Sequence, residues 1–523
     1  MKKIISVIVL MGMLFSLFVP FAAAAERTYQ DIPLVLLAGT SNTGIYNEKG
    51  EKIMPDNDEK TNEVLSDTKL MAELVASFGL ALATDKWDSY TDKLCAALDP
   101  IWAEQRCDKD GVPSDKTHLG WSWSKEKLSK KKSDFGVNDF RFNYDWRIDP
   151  FIVADELHEY IKAVLEVTGK PQVGLIGRCY GSCVTSAYLE KYGDENLVDT
   201  SIFYCPMVKG VETVDALFTG SLKLEGETVS TYLNYYLTQE KPIDDTGLTD
   251  FIVNLLAIFN AYGVMDFAAE GVTNFADLFI DKIFPRILRM SYAQDPGYWA
   301  MVSDERYEEA KAYVFGGVEE EYATLIEKID NYHYSVQVPL FDIIDSLIEK
   351  NDMNICVIAK YGIPTYPFFE GSNYQTDSSN SVGKMSFGAT AATIDSVISE
   401  DYISNAVSLG TDKYISADKK IDASTCYYKD STWFFKDVGH MEYPAFIDGL
   451  MIYATRCTDQ LTVWNDPGTV QFMTRDANGV FGEVTDSDPS DSKWEKRDPV
   501  KAAIAMLKYV VTFLVEQIKK LFA

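Results

Sequence analysis

The sequence predicts an α/β protein, with a mostly parallel central sheet flanked by helices and a helical cap inserted into it. Three observations carry this expectation. Six short apolar runs bounded by turns have the pattern of buried parallel strands. One strand–helix–strand succession has the lengths of a crossover unit. One glycine-flanked turn, GRCYG at 177–181, follows an apolar strand and opens a helix.

The six runs are 33–38, 140–144, 172–176, 200–204, 354–359 and 432–435. Between the second and third, Phe151, Ile152, Ala154, Leu157, Tyr160, Ile161, Val164 and Leu165 recur at helical spacing, and Gly169 marks the stop. The stretch 207–350 has mostly helical patterning and is aromatic and locally acidic, as in VEEEYATLIEKIDNY. Its place between the fourth and fifth runs makes it a cap inserted into the sheet domain; a separate module is the alternative. The expected organisation is therefore a first core part at 26–206, the cap at 207–350 and a second core part at 351–484. A polar acidic linker follows at 485–498, and the chain ends on an apolar, lysine-bearing helix at 499–523. That helix either packs on its own domain or contacts a partner or a membrane surface.

The first residues, MKKIISVIVLMGMLFSLFVPFAAAAE, carry Lys2 and Lys3, an apolar run and a small-residue site ending near Ala25. This is the pattern of a cleaved signal peptide over 1–25, so the mature chain is expected to be secreted or extracytoplasmic. A transmembrane anchor is the rival reading. No cysteine follows the small residues, which argues against a lipid anchor. The 523 residues have an ordinary globular composition, 46% hydrophobic and 24% charged, with a formal net charge of −30. A surface that acidic repels nucleic acid, so no nucleic-acid partner is expected.

Eight cysteines are too few for a disulfide scaffold. Cys95 and Cys107 are the best candidates for a bridge, whereas Cys205 and Cys356 lie in strand-like runs and are expected to be buried thiols. No spacing suits zinc, and four histidines make a histidine metal site improbable. No metal and no cofactor is expected.

The turn at 177–181 has the outline of a nucleophile elbow with cysteine at its centre. Gly177 and Gly181 would permit a close strand–helix approach, and the Tyr180 amide would point at a developing oxyanion. The helix N-terminus and Arg178 would favour the thiolate of Cys179. The plainer alternative is a buried thiol at an ordinary βα turn. With the order nucleophile, acid, histidine, the base is His440, in the loop FFKDVGHMEYPAF after the sixth run. The acid must lie between the fifth run and His440. Asp377, in QTDSSNS, is the candidate; Glu370 and Asp395 are rivals, Asp437 stands too close to His440, and an Asx turn is the plainer role for Asp377. A second oxyanion donor is expected from LLAGTSNTG, through the amide of Thr40 or Ser41.

With these residues in order, the chain resembles the lecithin:cholesterol acyltransferase-like group of the α/β-hydrolase superfamily. The likeness rests on IPLVLLAGTSN, FNYDWRIDP, CPMVKGVETVDALFTG and IAKYGIPTYPFF, and is patchy over about 30–450. It implies an α/β-hydrolase fold, Cys179 in the position of the nucleophilic serine, Asp377 as acid and His440 as general base. It also implies that the Cys95–Cys107 loop, with Trp102, is a disulfide-closed lid that touches lipid. Two departures stand out: Arg178-Cys179 replaces the usual His-Ser pair, and Asp377-Ser-Ser-Asn replaces Asp-Gly-Thr-Val. The function so implied is acyl hydrolysis or acyl transfer on a lipid-like ester through a thioester on Cys179. The alternatives are an inactive lipid-binding or scaffold protein on the same fold, and a surface-interaction protein that works through its terminal helix.

Overall fold

A computed structural model describes residues 29–40, 44–54, 63–64, 66–236, 248–261 and 279–486, with positions 263, 265, 266, 270, 277, 498, 499, 501 and 502. The expected signal peptide, most of the acidic linker and nearly all of the terminal helix lie outside the described residues.

All six apolar runs form strands of one sheet. They are β1 (Leu34–Leu37), β2 (Phe140–Phe142), β3 (Val173–Arg178), β4 (Val198–Tyr204), β5 (Asn354–Tyr361) and β6 (Thr432–Lys436). Two further strands, β7 (Phe472–Arg475) and β8 (Phe481–Glu483), extend it. The spatial order is β2-β1-β3-β4-β5-β6-β7-β8. Every neighbouring pair is parallel except β7 and β8, which close one edge as an antiparallel pair. Residues in β1, β3, β5 and β6 are buried throughout, as strands covered on both faces must be.

The helices used below are α1 (Thr68–Thr84), α2 (Trp87–Trp102), α3 (Pro150–Thr168), α4 (Gly181–Tyr192), α5 (Glu212–Thr219), α6 (Gly226–Tyr235), α7 (Leu340–Asn351) and α8 (Ala445–Arg456). Helix α3 matches the predicted crossover. Asp149 caps it through Phe151 N–H, Pro150 opens it and Gly169 ends it at φ 71°. Its face Val153, Leu157, Ile161 and Val164 is wholly buried against the sheet.

The described residues of 207–350 are mostly helical and carry a second core of their own, including Phe218, Trp299, Phe315 and Leu325. This stretch does not stand apart from the sheet. Gly297 N–H donates to Arg147 O at 3.0 Å, and a Cβ on Gly297 would overlap the Trp146 carbonyl. Its last helix, α7, buries Leu340, Ile344 and Leu347 in the main core and delivers the chain to β5, so it acts as a crossover helix.

The expected lid at 95–107 is not a disulfide-closed loop. Cys95 and Cys107 are both free, as are the other six cysteines. Residues 95–102 are the second half of α2, and Cys95 packs into a small cluster with Trp87, Ile283 and Ile287. Cys107 lies past the helix end in the main core, its N–H bonded to Asp295 Oδ1 at 2.6 Å. The helix holds the two thiols in different packing units. Trp102, expected to meet lipid, sits half-buried edge-on to Tyr292, 6.3 Å between centroids.

Candidate active site

Sequence order and sheet order diverge around β1. The chain runs to β2 on one side of β1 and to β3 on the other. Ligand sites of open α/β sheets lie at the carboxyl ends of the strands beside such a switch point. Cys179 is the first residue after β3, at this location.

The turn at Cys179 is sharp. Its φ is 56°, a left-handed conformation that side chains with a Cβ rarely adopt. Cys179 N–H donates to Tyr204 O on β4 at 3.0 Å, and Cys179 O accepts from Ser182 N–H at 3.0 Å and Ser182 Oγ at 2.7 Å. Ser182 Oγ in turn accepts Met207 N–H at 2.8 Å, bracing the turn against the segment after β4. The two glycines are there for space. A Cβ on Gly177 would meet Ser182 Cα at 2.8 Å, and one on Gly181 would overlap the Leu37 carbonyl. Tyr180 is the N-cap of α4, where the first amides have no acceptor inside the helix. Its buried ring packs beside Tyr144 and Trp146.

The loop after β1 lies directly over the thiol. A Cβ on Gly39 would sit 2.8 Å from Cys179 Sγ. Tyr144 donates to Ala38 O at 2.5 Å and fixes that loop. Thr40 follows Gly39, and Ser41 lies outside the described residues. The Cys179 side chain is 8% exposed, with the Met207 thioether 3.4 Å from its sulfur.

Asp377 and His440 arrive from the carboxyl ends of β5 and β6. His440 Nδ1 lies 2.6 Å from Asp377 Oδ2, and its N–H donates to Asp377 O at 2.7 Å. The Cys179 sulfur is near enough to the imidazole to act on its charge. Burial works against charge on His440, but the Asp377 carboxylate and the Cys179 sulfur outweigh it and push its pKa up to about 10. Asp377 is fully buried, which favours its neutral form; His440, Lys360 and the Asn380 amide reverse this and hold it below the usual carboxylate range. Asp377 also forms an Asx-type turn, its Oδ1 accepting Ser379 N–H at 3.0 Å and Asn380 N–H at 3.1 Å. One oxygen shapes the loop and the other meets the histidine. The rivals lie elsewhere: Glu370 pairs with Lys223 on the surface, and Asp395 accepts from Thr393.

Arg178 does not serve the thiol as expected. Its buried guanidinium lies 4.0 Å from the Tyr443 ring centroid and 5.1 Å from that of Tyr204, with Asp448 the carboxylate that feels it. Successive strand side chains alternate faces, and this one is directed toward the segment after His440. It therefore ties β3 to the histidine loop through cation–π contact.

Two contributors escape sequence reasoning. Asn380 Nδ2 donates to Pro206 O at 3.1 Å and Gly210 O at 3.2 Å, docking the acid loop on the segment after β4. Lys360, inside the apolar strand β5, donates to three carbonyls of the histidine loop. A lysine interrupting NICVIAKY was the signal available for it. The remaining histidines lie apart from this site: His158 stacks on Tyr192, His333 on Tyr307, and His118 lies beside Tyr46.

A cavity of about 410 Å³ opens beside His440. Tyr232, Tyr235, Tyr236 and Tyr366 line it, with Ile363 and Pro364. Among the described residues no lysine or arginine contributes to its lining, and the one carboxylate there, Glu442, is paired with Arg475 at 2.5 Å. Among the described residues no helix is long and apolar enough to cross a membrane, and no cluster of side chains could hold a metal ion. Comparison with protein-family models, curated proteins and solved structures gives no match.

Proposed function

We propose that the chain is a cysteine-dependent acyl hydrolase or acyltransferase of α/β-hydrolase type, acting on a lipid-like ester. The observation that carries this reading is His440, held to Asp377 at 2.6 Å and set near the elbow cysteine, whose sulfur favours the charged imidazole. The sequence order of the three groups and their places beyond the carboxyl ends of β3, β5 and β6 support the hydrolase assignment. So does the resemblance to the lecithin:cholesterol acyltransferase-like group.

The chemistry follows from the geometry. With the shared proton on His440, Cys179 Sγ attacks the acyl carbonyl carbon. The oxyanion meets the Tyr180 amide at the head of α4 and an amide of the Gly39–Thr40 loop. As the carbon–oxygen bond breaks, His440 gives its proton to the leaving alcohol, and a thioester remains on Cys179. His440 then takes a proton from water or another acceptor, which attacks the thioester and releases the acid or the transferred acyl group. Asp377 holds the imidazole in place and stabilises its charged form. The tyrosine-lined cavity lies on the histidine side, where the leaving group departs. Its described lining, four tyrosines with Ile363 and Pro364 and no cation, suits a neutral, largely apolar group.

The test is intact-protein mass spectrometry after brief exposure to p-nitrophenyl acyl esters. Acyl-enzyme should form on Cys179, and Cys179→Ala should lose at least about 10³-fold in p-nitrophenol release. Release unchanged in Cys179→Ala overturns the reading. No acylation in the folded native protein supports the inactive, ligand-binding alternative.

A further inference from the structure

Lys360 is fully buried near the end of β5, in a strand whose other residues are also buried. Burying an ammonium is costly unless its protons find acceptors. Here its Nζ donates to Glu442 O at 2.7 Å, Gly439 O at 3.0 Å and His440 O at 3.4 Å. A lysine has three protons to give, and all three go to the loop that carries His440. The ammonium also lies 4.8 Å from the Tyr204 ring centroid and 5.5 Å from that of Tyr443. Its charge reaches Asp377 and Glu442 on either side of the histidine.

An apolar side chain would satisfy the packing of β5 without this desolvation. What it cannot supply is a donor for the His440 carbonyl and second donors for Gly439 O, which also accepts Glu442 N–H at 3.0 Å, and Glu442 O, which also accepts from the Tyr204 hydroxyl at 3.4 Å. We propose that Lys360 is a positioning residue for His440: it fastens the 439–442 backbone so that the imidazole stands between Cys179 and Asp377. The inference rests on the catalytic pairing proposed above and adds a group that touches neither substrate nor the reacting sulfur. Lys360 reaches the chemistry through the main chain of the histidine loop and through its charge on Asp377, both on the His440 side, so its loss should change how His440 is held before it changes how substrate binds.

Two readouts that do not need a known substrate test this: labelling of Cys179 by iodoacetamide at pH 6.5, and NMR titration of the histidine ring protons. The His440 signal is assigned by its loss in His440→Ala. Wild type should label faster than His440→Ala, and its His440 midpoint should lie near 10. In Lys360→Gln and Lys360→Met, shown to be folded by near-ultraviolet circular dichroism, labelling should fall at least about tenfold and the midpoint should move toward the ordinary value of about 6.5. On p-nitrophenyl esters kcat should fall with KM little changed. Lys360→Arg, which keeps the charge and the donors, should recover part of the labelling rate. If wild type labels no faster than His440→Ala, the catalytic pairing itself fails. If wild type is faster but the folded neutral variants match it in rate and midpoint, Lys360 is a packing lysine and this inference alone is overturned. Should neither neutral variant fold, alkylation of Cys179 in wild type decides: the displaced imidazole should shift the Lys360 15Nζ resonance at pH 7, and an unmoved resonance overturns the proposal.

Discussion

At Cys179 a left-handed backbone, a nearly buried sulfur and the nearness of the His440 imidazole coincide. The neighbouring Gly39 gives a sharp test, because a methyl group there would press on Cys179 Sγ. Gly39→Ala should leave thermal unfolding near wild type while cutting iodoacetamide labelling and ester turnover by at least about tenfold, a loss near 1.4 kcal/mol in barrier terms. The His440–Asp377 pair also predicts a pH dependence. Native His440 keeps its proton to about pH 10, whereas an unfolded histidine loses it near about 6.5. Between those values the native state binds more protons, so this contribution to stability is full below the lower value and is lost as pH rises toward the upper one. Asp377, held low, contributes stability that disappears as pH falls below the ordinary carboxylate range. Urea unfolding from pH 5 to 10 should therefore show stability falling with pH in wild type and a flatter profile in Asp377→Asn.

The element that matters most is β3–turn–α4. The sequence marked it by an apolar strand, two glycines and a helical continuation, and the packing gives each glycine a steric reason. Gly181 meets the Leu37 carbonyl of β1, a backbone atom that no rotamer change can move aside. Gly181→Ala should cost about 3 kcal/mol, the upper part of the range for overpacking, read as a lower urea midpoint. Lys360 and Arg178 stayed illegible at this scale. The first falls just past the predicted run 354–359, and the second read as a charge aimed at the thiol. Their roles depend on which strand face meets the histidine loop, and that is set by the order of strands in space. The acid loop was legible only as a choice among carboxylates. Burial of Asp377 and its contact with His440 single it out.

Over the whole molecule, one mostly parallel sheet carries the three candidate site residues beyond the ends of β3, β5 and β6, and the inserted helices build a second core that docks on the Asp145-Trp146-Arg147 segment. Cohesion comes from these cores and not from cross-links, since all eight cysteines are free. A bridge between Cys95 and Cys107 would close a short loop and contribute about 3 kcal/mol. Thermal unfolding with and without dithiothreitol should give the same Tm, and thiol titration of the denatured chain without reductant should find all eight cysteines.

The sequence by itself determined six of the eight strands of the sheet, the crossover helix, the glycine-flanked turn and the order of Cys179, Asp377 and His440. Each is written in local periodicity, in glycine placement or in the position of a residue along the chain. Tertiary structure alone decided that α2 keeps Cys95 and Cys107 apart, that Arg178 serves two tyrosines, that the last inserted helix belongs to the sheet, and that Lys360 holds the histidine loop. These depend on which surfaces meet after the chain has folded, and contacts between residues distant in sequence leave no periodic trace in it.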